Sequence, residues 1–182
     1  GPEHRWTSPL PGGGTPIISG STIYAMGTRG QGEQMVEVLA ALDADTGAVL
    51  WEKRFPDFLS DIIYDRYAIG SPGFHEPSGT VFAFTSAGVL SAHRNDGSAL
   101  WSVSLMESYG RLTFPNGRTG SPLVVSDLVI VRGITAAWGK HAPGRDRLYA
   151  FDVSTGRLAW TATPGERPID SSYSSPVVVP WG

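Results

Sequence analysis

Residues 41–51 read ALDADTGAVLW, and two near copies follow, SAHRNDGSALW at residues 91–101 and AFDVSTGRLAW at residues 150–160. In each copy a glycine lies four positions before a tryptophan, and these glycines, Gly47, Gly97 and Gly156, recur after 50 and then 59 residues. Self-similarity at a period of this size is the sequence signature of a repeat architecture. The chain is therefore predicted to consist of successive copies of one structural unit.

A second marker, serine or threonine followed by proline, repeats out of phase with the first. It occurs at Thr15-Pro16, Ser71-Pro72, Ser121-Pro122 and Ser175-Pro176, and each copy opens a run of apolar, β-prone residues. From each repeated tryptophan to the proline of the next marker the distance is 21, 21 and 16 residues. The unit is thus fixed at both ends and varies in its middle.

Within a unit the residues indicate four short strands. Residues 16–26 and 123–131 each contain two apolar runs separated by a polar turn, a third run precedes the Asp-rich turn, and a fourth passes through the tryptophan. The 23 Gly and 14 Pro residues would interrupt long helices. Repeated units of four antiparallel strands are typical of β-propeller blades, which predicts an all-β fold.

The chain is expected to form a single partial β-propeller domain over residues 1–182. Its blade units cover about 15–55, 70–105 and 120–163, with 174–182 as the start of a fourth. Because propellers typically close with about 4–8 blades, we expect the remaining blades of the same propeller to be partners of this segment.

The turn between the third and fourth strands explains the repeated residue types. It needs a residue that hydrogen-bonds its own backbone, followed by a glycine that adopts a positive φ. The first role is predicted for Asp45, Asn95 and Ser154, and the second for Gly47, Gly97 and Gly156. The tryptophans are predicted to bury their rings against a neighbouring blade while the indole N–H finds an acceptor; they are Trp51, Trp101 and Trp160.

The second copy departs from the other two. Aligned without a gap, it carries Ser91, His93 and Asp96 where the first copy has alanine, aspartate and threonine. A small residue ten positions before each tryptophan, Ala41, Ser91 or Ala150, would leave room for the ring. On this alignment His93 is a variant of the turn aspartate.

The pattern Ala-x-Asp-x-x-Thr-Gly-x-x-x-Trp resembles the tryptophan-docking motif of the PQQ-type, or quinoprotein-like, β-propeller repeat family. The resemblance runs from about Pro16 to the last residue. The family includes quinoprotein alcohol dehydrogenases, the propeller lipoprotein of outer-membrane barrel assembly, and many bacterial extracytoplasmic repeat proteins. The resemblance therefore implies a periplasmic or extracellular location.

Two functions are compatible with this resemblance. The favoured one is a non-catalytic binding or scaffold module; the alternative is a fragment of a PQQ-dependent alcohol or sugar dehydrogenase. Many such dehydrogenases hold PQQ with an adjacent-cysteine disulfide and calcium with a Glu, Asn and Asp set. The chain has no cysteine, and no segment aligns with those ligands. We therefore assign no catalytic, cofactor-binding or metal residue, and expect PQQ and calcium only under the alternative.

The crossovers between blades carry the candidate binding residues. In a four-stranded meander, these crossovers share one face with the loops joining strands two and three, and the Asp-rich turns lie on the opposite face. We name the first of these the loop face. Its tyrosines and arginines would suit carboxylates, sugars or a peptide; alternatively they join adjacent blades by hydrogen bonds. They are Tyr64, Arg66, Tyr67, Tyr109, Arg111, Arg118, Arg167 and Tyr173.

Charge and hydropathy exclude other partners. The net charge is −3 and the pI is about 5.8, so the chain offers no basic field for nucleic acid. No run approaches the roughly 18 apolar residues of a membrane span. The favoured partner is therefore a protein, peptide or glycan bound at the loop face.

Overall fold

The computed structural model describes residues 3–56, 68–112, 120–136, 144–164 and 175–180. Within these residues, three antiparallel sheets follow one another along the chain, each with its four main strands in sequential order. Short apolar runs bounded by tight turns favour this meander over any long-range strand exchange. The result is the predicted all-β architecture of propeller blades.

The strands lie where the turn residues predict them. Blade 1 contains β1 (Ile17–Ser19), β2 (Thr22–Arg29), β3 (Val36–Asp43) and β4 (Val49–Phe55), and blade 2 contains β5 (Gly73–His75), β6 (Thr80–Phe84), β7 (Val89–Arg94) and β8 (Ala99–Ser104). A short helix, α1 (Leu105–Tyr109), and strand β9 (Arg111–Leu112) lead to blade 3. Blade 3 contains β10 (Leu123–Val125), β11 (Leu128–Ala136), β12 (Arg145–Asp152) and β13 (Leu158–Ala162).

Helix α1 was not predicted, because five residues are too few to show a helical period. Its start nevertheless carries a local signal, since Ser104 and Glu107 have the spacing of a capping box. The Ser104 hydroxyl accepts a hydrogen bond from the backbone N–H of Glu107. The short 3-10 helices Gly32–Gln34 and Glu76–Ser78 complete the helical elements of the described residues.

The hydrophobic core lies between the blades. One cluster joins blades 1 and 2 through residues such as Tyr24, Leu39 and Val81. A second joins blades 2 and 3 through residues such as Phe82, Leu90 and Phe151. Because both faces of blade 2 are covered, all five residues of β6 are buried. Contacts between blades, rather than within them, therefore carry most of the apolar burial.

The segment predicted to open a fourth unit contributes a hydrogen-bond acceptor, the Ser175 hydroxyl, and forms no strand. Residues 175–180 have no regular secondary structure, and a strand would need a second strand of its own sheet for pairing. Val177, Val178 and Val179 are 78%, 62% and 65% exposed.

Candidate functional site

Trp51 joins blade 1 to the turn of blade 2. Its indole N–H donates to the carbonyl oxygen of Asn95 at 2.8 Å. Its ring lies over Gly97, where an added Cβ would come within 2.8 Å of the Trp51 Cδ2 atom. Gly97 also has a φ of 86°. Glycine is thus required twice at this position, by the turn and by the ring from the preceding blade.

The same contact recurs at two other turns. The Trp101 N–H donates to the carbonyl of Val153 at 2.9 Å, with the ring over Gly156. Trp6, which precedes β1, donates to the carbonyl of Ala44 at 3.0 Å and covers Gly47. Trp6 therefore supplies to blade 1 the contact that each later blade receives from its predecessor.

Trp160 differs from these three tryptophans. It is 38% exposed, and its indole N–H has no acceptor within the ranges that the structure describes. In this chain its ring is therefore less buried than predicted, because no turn of the described residues lies against it.

In the first and third turns the capping carboxylates belong to Asp43 and Asp152, whereas Asp45 and Ser154 were predicted to cap. Asp43 Oδ1 accepts from the backbone N–H groups of Asp45 and Thr46 and from the Thr46 hydroxyl. Asp152 does the same for Ser154 and Thr155. Hydrogen bonds from the hydroxyls of Ser154 and Thr155 lower the pKa of Asp152 to about 2. The predicted capping residues Asp45 and Ser154 are donors to these carboxylates instead.

The second turn is one residue shorter than the other two. Trp51 pairs with Ala41 and Trp160 with Ala150, but Trp101 pairs with Ala92. The predicted small residue Ser91 is therefore wrong by one position. In this turn Asp96 accepts from the N–H of Ser98, and Asn95 supplies the carbonyl to Trp51 in place of capping.

This register changes the interpretation of His93. In the sheets, His93 pairs with Val81, as Leu42 pairs with Ile23 and Phe151 with Val129. His93 therefore occupies the core position of Leu42 and Phe151, and its assignment as a turn variant was wrong. The deletion leaves the Gly-to-Trp spacing intact, which is why an ungapped alignment did not reveal it.

His93 is a buried polar residue between blades 1 and 2. It is 4% exposed, and its ring centroid lies 6.5 Å from that of Trp51 and 6.3 Å from that of Phe55. Its Nε2 lies 3.0 Å from the Ser91 hydroxyl, whereas its Nδ1 has no hydrogen-bond partner among the described residues. Burial, followed by the positive charge of Lys53, lowers the pKa of His93 to about 4.

We expect His93 to make the protein sensitive to acid. Its depressed pKa means that between about pH 6.5 and pH 4 the unfolded chain binds a proton that the folded chain does not. The free energy of unfolding should therefore fall as the pH falls through this window, by up to about 3 kcal/mol. Urea unfolding of wild type and His93→Phe at several pH values tests this, because the variant has no imidazole to protonate and should lack this part of the decrease in the free energy of unfolding. The same dependence on pH in both proteins would contradict the assignment of His93 as a buried, neutral histidine.

The repeated Ser/Thr-Pro marker forms a second set of contacts between blades. The backbone N–H of Thr15 donates to the Ser71 hydroxyl at 3.0 Å, that of Ser71 to Ser121 at 2.8 Å, and that of Ser121 to Ser175 at 2.8 Å. Each hydroxyl thus accepts a hydrogen bond from the marker N–H of the preceding unit, which lies just before the first strand of that unit and outside its sheet pairing. The marker is a structural joint between successive units.

Glu37 joins three connections at the loop face. Its side chain accepts from the N–H of Ala68, which lies in the crossover between β4 and β5, and from the N–H and hydroxyl of Ser86, between β6 and β7. Glu37 is 3% exposed and is the second residue of β3, next to the connection from β2. The crossover and the two loops therefore share one end of the blades.

Two of the predicted binding residues lie within the described ranges. The Tyr109 ring is 5.0 Å from that of Tyr149 and 6.2 Å from that of Phe151, and burial raises the pKa of its hydroxyl. Tyr109 thus contacts the next blade, as in the blade-joining interpretation. The Arg111 backbone pairs with Ala136 through β9 and β11. The other candidates lie outside the described residues: Tyr64, Arg66, Tyr67, Arg118, Arg167 and Tyr173.

The described residues contain neither a cluster of metal-ligating side chains nor a helix able to cross a membrane. No group of three or more His, Cys, Asp or Glu side chains within them is arranged to share a metal ion. None of their helices combines the length and apolar character of a membrane span.

Known proteins provide a family match and several similar folds. Residues 35–180 match the family described as outer membrane protein assembly factor BamB, whereas a search of curated proteins found no match. A quinohemoprotein alcohol dehydrogenase from Pseudomonas putida HK5 is 24% identical with a TM-score of 0.63, over 87% of this chain and 21% of that one. The quinohemoprotein alcohol dehydrogenase from Comamonas testosteroni is 22% identical with a TM-score of 0.61, over 87% of this chain and 22% of that one.

BamB from Moraxella catarrhalis is also similar, with 17% identity and a TM-score of 0.52 over 81% of this chain and 39% of that one. At such identities these likenesses concern the fold alone. The chain spans between 21% and 39% of the length of these structures.

Proposed function

Since the chain belongs to the PQQ-type β-propeller family described as outer membrane protein assembly factor BamB, we propose that it is a non-catalytic binding module of an extracytoplasmic bacterial protein. The observation that carries this proposal is the use of the repeated residues. The Trp51 and Trp101 indoles and the marker hydroxyls join one blade to the next, and Trp6 makes the same contact to blade 1 from the segment before β1. The repeat thus builds a scaffold, and its variable loops remain for recognition.

The loop face is the binding surface in this proposal. The Glu37 contacts with Ala68 and Ser86 support a common end for crossovers and variable loops. Rigid scaffolds commonly present binding residues on loops gathered in this way. Arginine and tyrosine side chains of the crossovers would then recognise a protein, peptide or glycan through charge-assisted hydrogen bonds and stacking.

Alanine variants of the crossover arginines test this face. In the intact protein, Arg66→Ala, Arg118→Ala or Arg167→Ala should weaken binding of a partner recovered from the periplasmic fraction by about 1.5–3 kcal/mol each, because a charge-assisted contact is lost. Asp96→Ala and Ser154→Ala, on the opposite face, serve as controls and should bind normally. Binding lost only in the controls would reverse the assignment, and arginine variants that fail to fold would favour the blade-joining interpretation.

The contacts of three tryptophans and two aspartates argue against the cofactor of the dehydrogenase alternative. A quinone stacked on a tryptophan needs an open indole face, but Trp6, Trp51 and Trp101 lie over glycines of a neighbouring turn. The carboxylates of Asp43 and Asp152 are held by backbone and hydroxyl donors of their own turns. Neither group of residues offers a site for PQQ with calcium.

Calorimetric titration of the intact protein with PQQ and calcium separates the two functions. We expect no stoichiometric site of micromolar affinity, since Trp6, Trp51 and Trp101 cover glycines of neighbouring turns and the carboxylates of Asp43 and Asp152 are held by their own turns. A stoichiometric micromolar site would favour the dehydrogenase and overturn the binding-module proposal.

A further inference from the structure

A cleft of about 680 Å³ lies between β4 of blade 1 and strands β7 and β8 of blade 2. Its lining includes Lys53, Phe55, Ser91, His93, Leu100 and Met106. The volume is within the range of about 300–1,000 Å³ that is usual for small-molecule sites. Apolar and polar residues line it in nearly equal numbers. The cleft reaches the loop face, since Ala87 between β6 and β7 and Glu107 of α1 also line it; a small-molecule site here goes beyond the function proposed for that face.

Two polar residues of the cleft occupy positions that are apolar in the other blades. His93 corresponds to Leu42 and Phe151, as described above. Ser91 lies two residues before His93 on β7 and pairs with Ala83. The corresponding residue of blade 3 is Tyr149, which pairs with Val131. A Ser–His pair at this position weakens the packing between blades, since a buried nitrogen without a partner has given up its hydrogen bonds to water. The unpartnered Nδ1 of His93 is therefore the group of the cleft that gains most from a ligand with a polar atom.

Three charged residues line the cleft, Lys53 and Arg54 from β4 and Glu107 from α1. Arg54 pairs with Glu52 at 3.0 Å, whereas Lys53 has no ion-pair partner among the described residues. The Lys53 charge also acts on His93, which it helps to keep neutral. A ligand with a negative group would neutralise Lys53, and its apolar body would find Phe55, Leu100 and Met106.

We propose that this cleft binds a small aromatic carboxylate, with the carboxylate paired to Lys53 and a polar ligand atom hydrogen-bonded to the free Nδ1 of His93. The aromatic body lies against Phe55 and the apolar side chains of β8 and α1. In the structure Nδ1 is closed to solvent, so binding includes a rotation of the His93 ring that turns this nitrogen into the cleft, where it donates or accepts according to its tautomer. The site binds and orients its ligand, and no chemical step is assigned to it.

The test uses three probes, benzoate, cinnamate and indole-3-propionate, with indole-3-propionamide as the uncharged match to the third. The protein is labelled with ¹⁵N-histidine, and the His93 imidazole signals are followed during titration. At least one carboxylate should saturate below about 5 mM and shift the Nδ1 resonance. Indole-3-propionamide should bind about tenfold more weakly than indole-3-propionate, through loss of the ion pair.

Variants of the lining complete the test. Lys53→Gln should weaken carboxylate binding about tenfold, whereas Arg157→Gln, on the exposed turn of blade 3 and outside the cleft lining, should leave it unchanged. His93→Phe introduces the residue type that blade 3 has at this position and should abolish binding while the far-ultraviolet circular dichroism is retained. If this variant does not fold, the Lys53→Gln and Arg157→Gln pair decides. Absence of a His93 shift with all three probes, or equal binding of the acid and amide, would overturn the proposal.

Discussion

Replacement of Trp51 by alanine should destabilise the protein by about 3–5 kcal/mol, the usual loss for a large aromatic residue in a core. The indole gives up its hydrogen bond to Asn95 and its contacts with Tyr24 and Gly97. The loss should appear as a lower midpoint in urea unfolding, because a joint between blades 1 and 2 is removed.

Leu50→Ala is the matched control, since Leu50 precedes Trp51 in β4 and is 55% exposed. It should change the free energy of unfolding by no more than about 0.5 kcal/mol. A Trp51→Ala variant as stable as Leu50→Ala would show that the indole does not hold the blades together.

Gly97→Ala should be nearly as damaging, for two separable reasons. A non-glycine residue at a φ of 86° is strained by about 1–2 kcal/mol. The new methyl group would also displace the Trp51 ring, from which its Cβ would lie only 2.8 Å away. Such overpacking adds about 1–3 kcal/mol.

Gly20→Ala isolates the first of these costs. Gly20 has a φ of 58°, and an added Cβ there would meet nothing within 4 Å. In urea unfolding, Gly97→Ala should therefore lose about 1–3 kcal/mol more than Gly20→Ala. Equal losses would mean that the ring moves aside without cost and that close packing on the turn is unimportant.

The strands were predictable because their ends are marked locally. Turn glycines and apolar runs separated by two-residue polar turns depend only on neighbours in the sequence, and the observed pairs β1–β2 and β10–β11 follow those marks. Helix α1 was not predicted, because only its cap, Ser104 with Glu107, has a recognisable sequence pattern.

The contacts between blades were less predictable, because their acceptors lie far along the chain. The hydroxyl that receives the N–H of Ser71 is 50 residues away, and the acceptors for Trp6 and Trp51 are backbone carbonyls, which have no residue signature. The sequence therefore identified the repeated serines and tryptophans without their partners.

The cleft was missed because of the register. An ungapped alignment treats the second turn as long as the other two, which places His93 opposite the turn aspartates Asp43 and Asp152 and does not predict its burial. A one-residue gap aligns it with Leu42 and Phe151, and a histidine at an apolar core position would then have stood out. Most of the arginines and tyrosines predicted for the loop face lie outside the described residues, so that surface stays a prediction.

A double-mutant cycle between Trp51 and Gly97 tests most directly whether the repeat serves to join blades. The four proteins are wild type, Trp51→Ala, Gly97→Ala and the double variant, all unfolded in urea. If the glycine is required by the ring, Gly97→Ala in the Trp51→Ala background should cost no more than Gly20→Ala, with a coupling of about 1–3 kcal/mol. Losses that add within about 0.5 kcal/mol would show that turn and ring act independently, which would contradict the account.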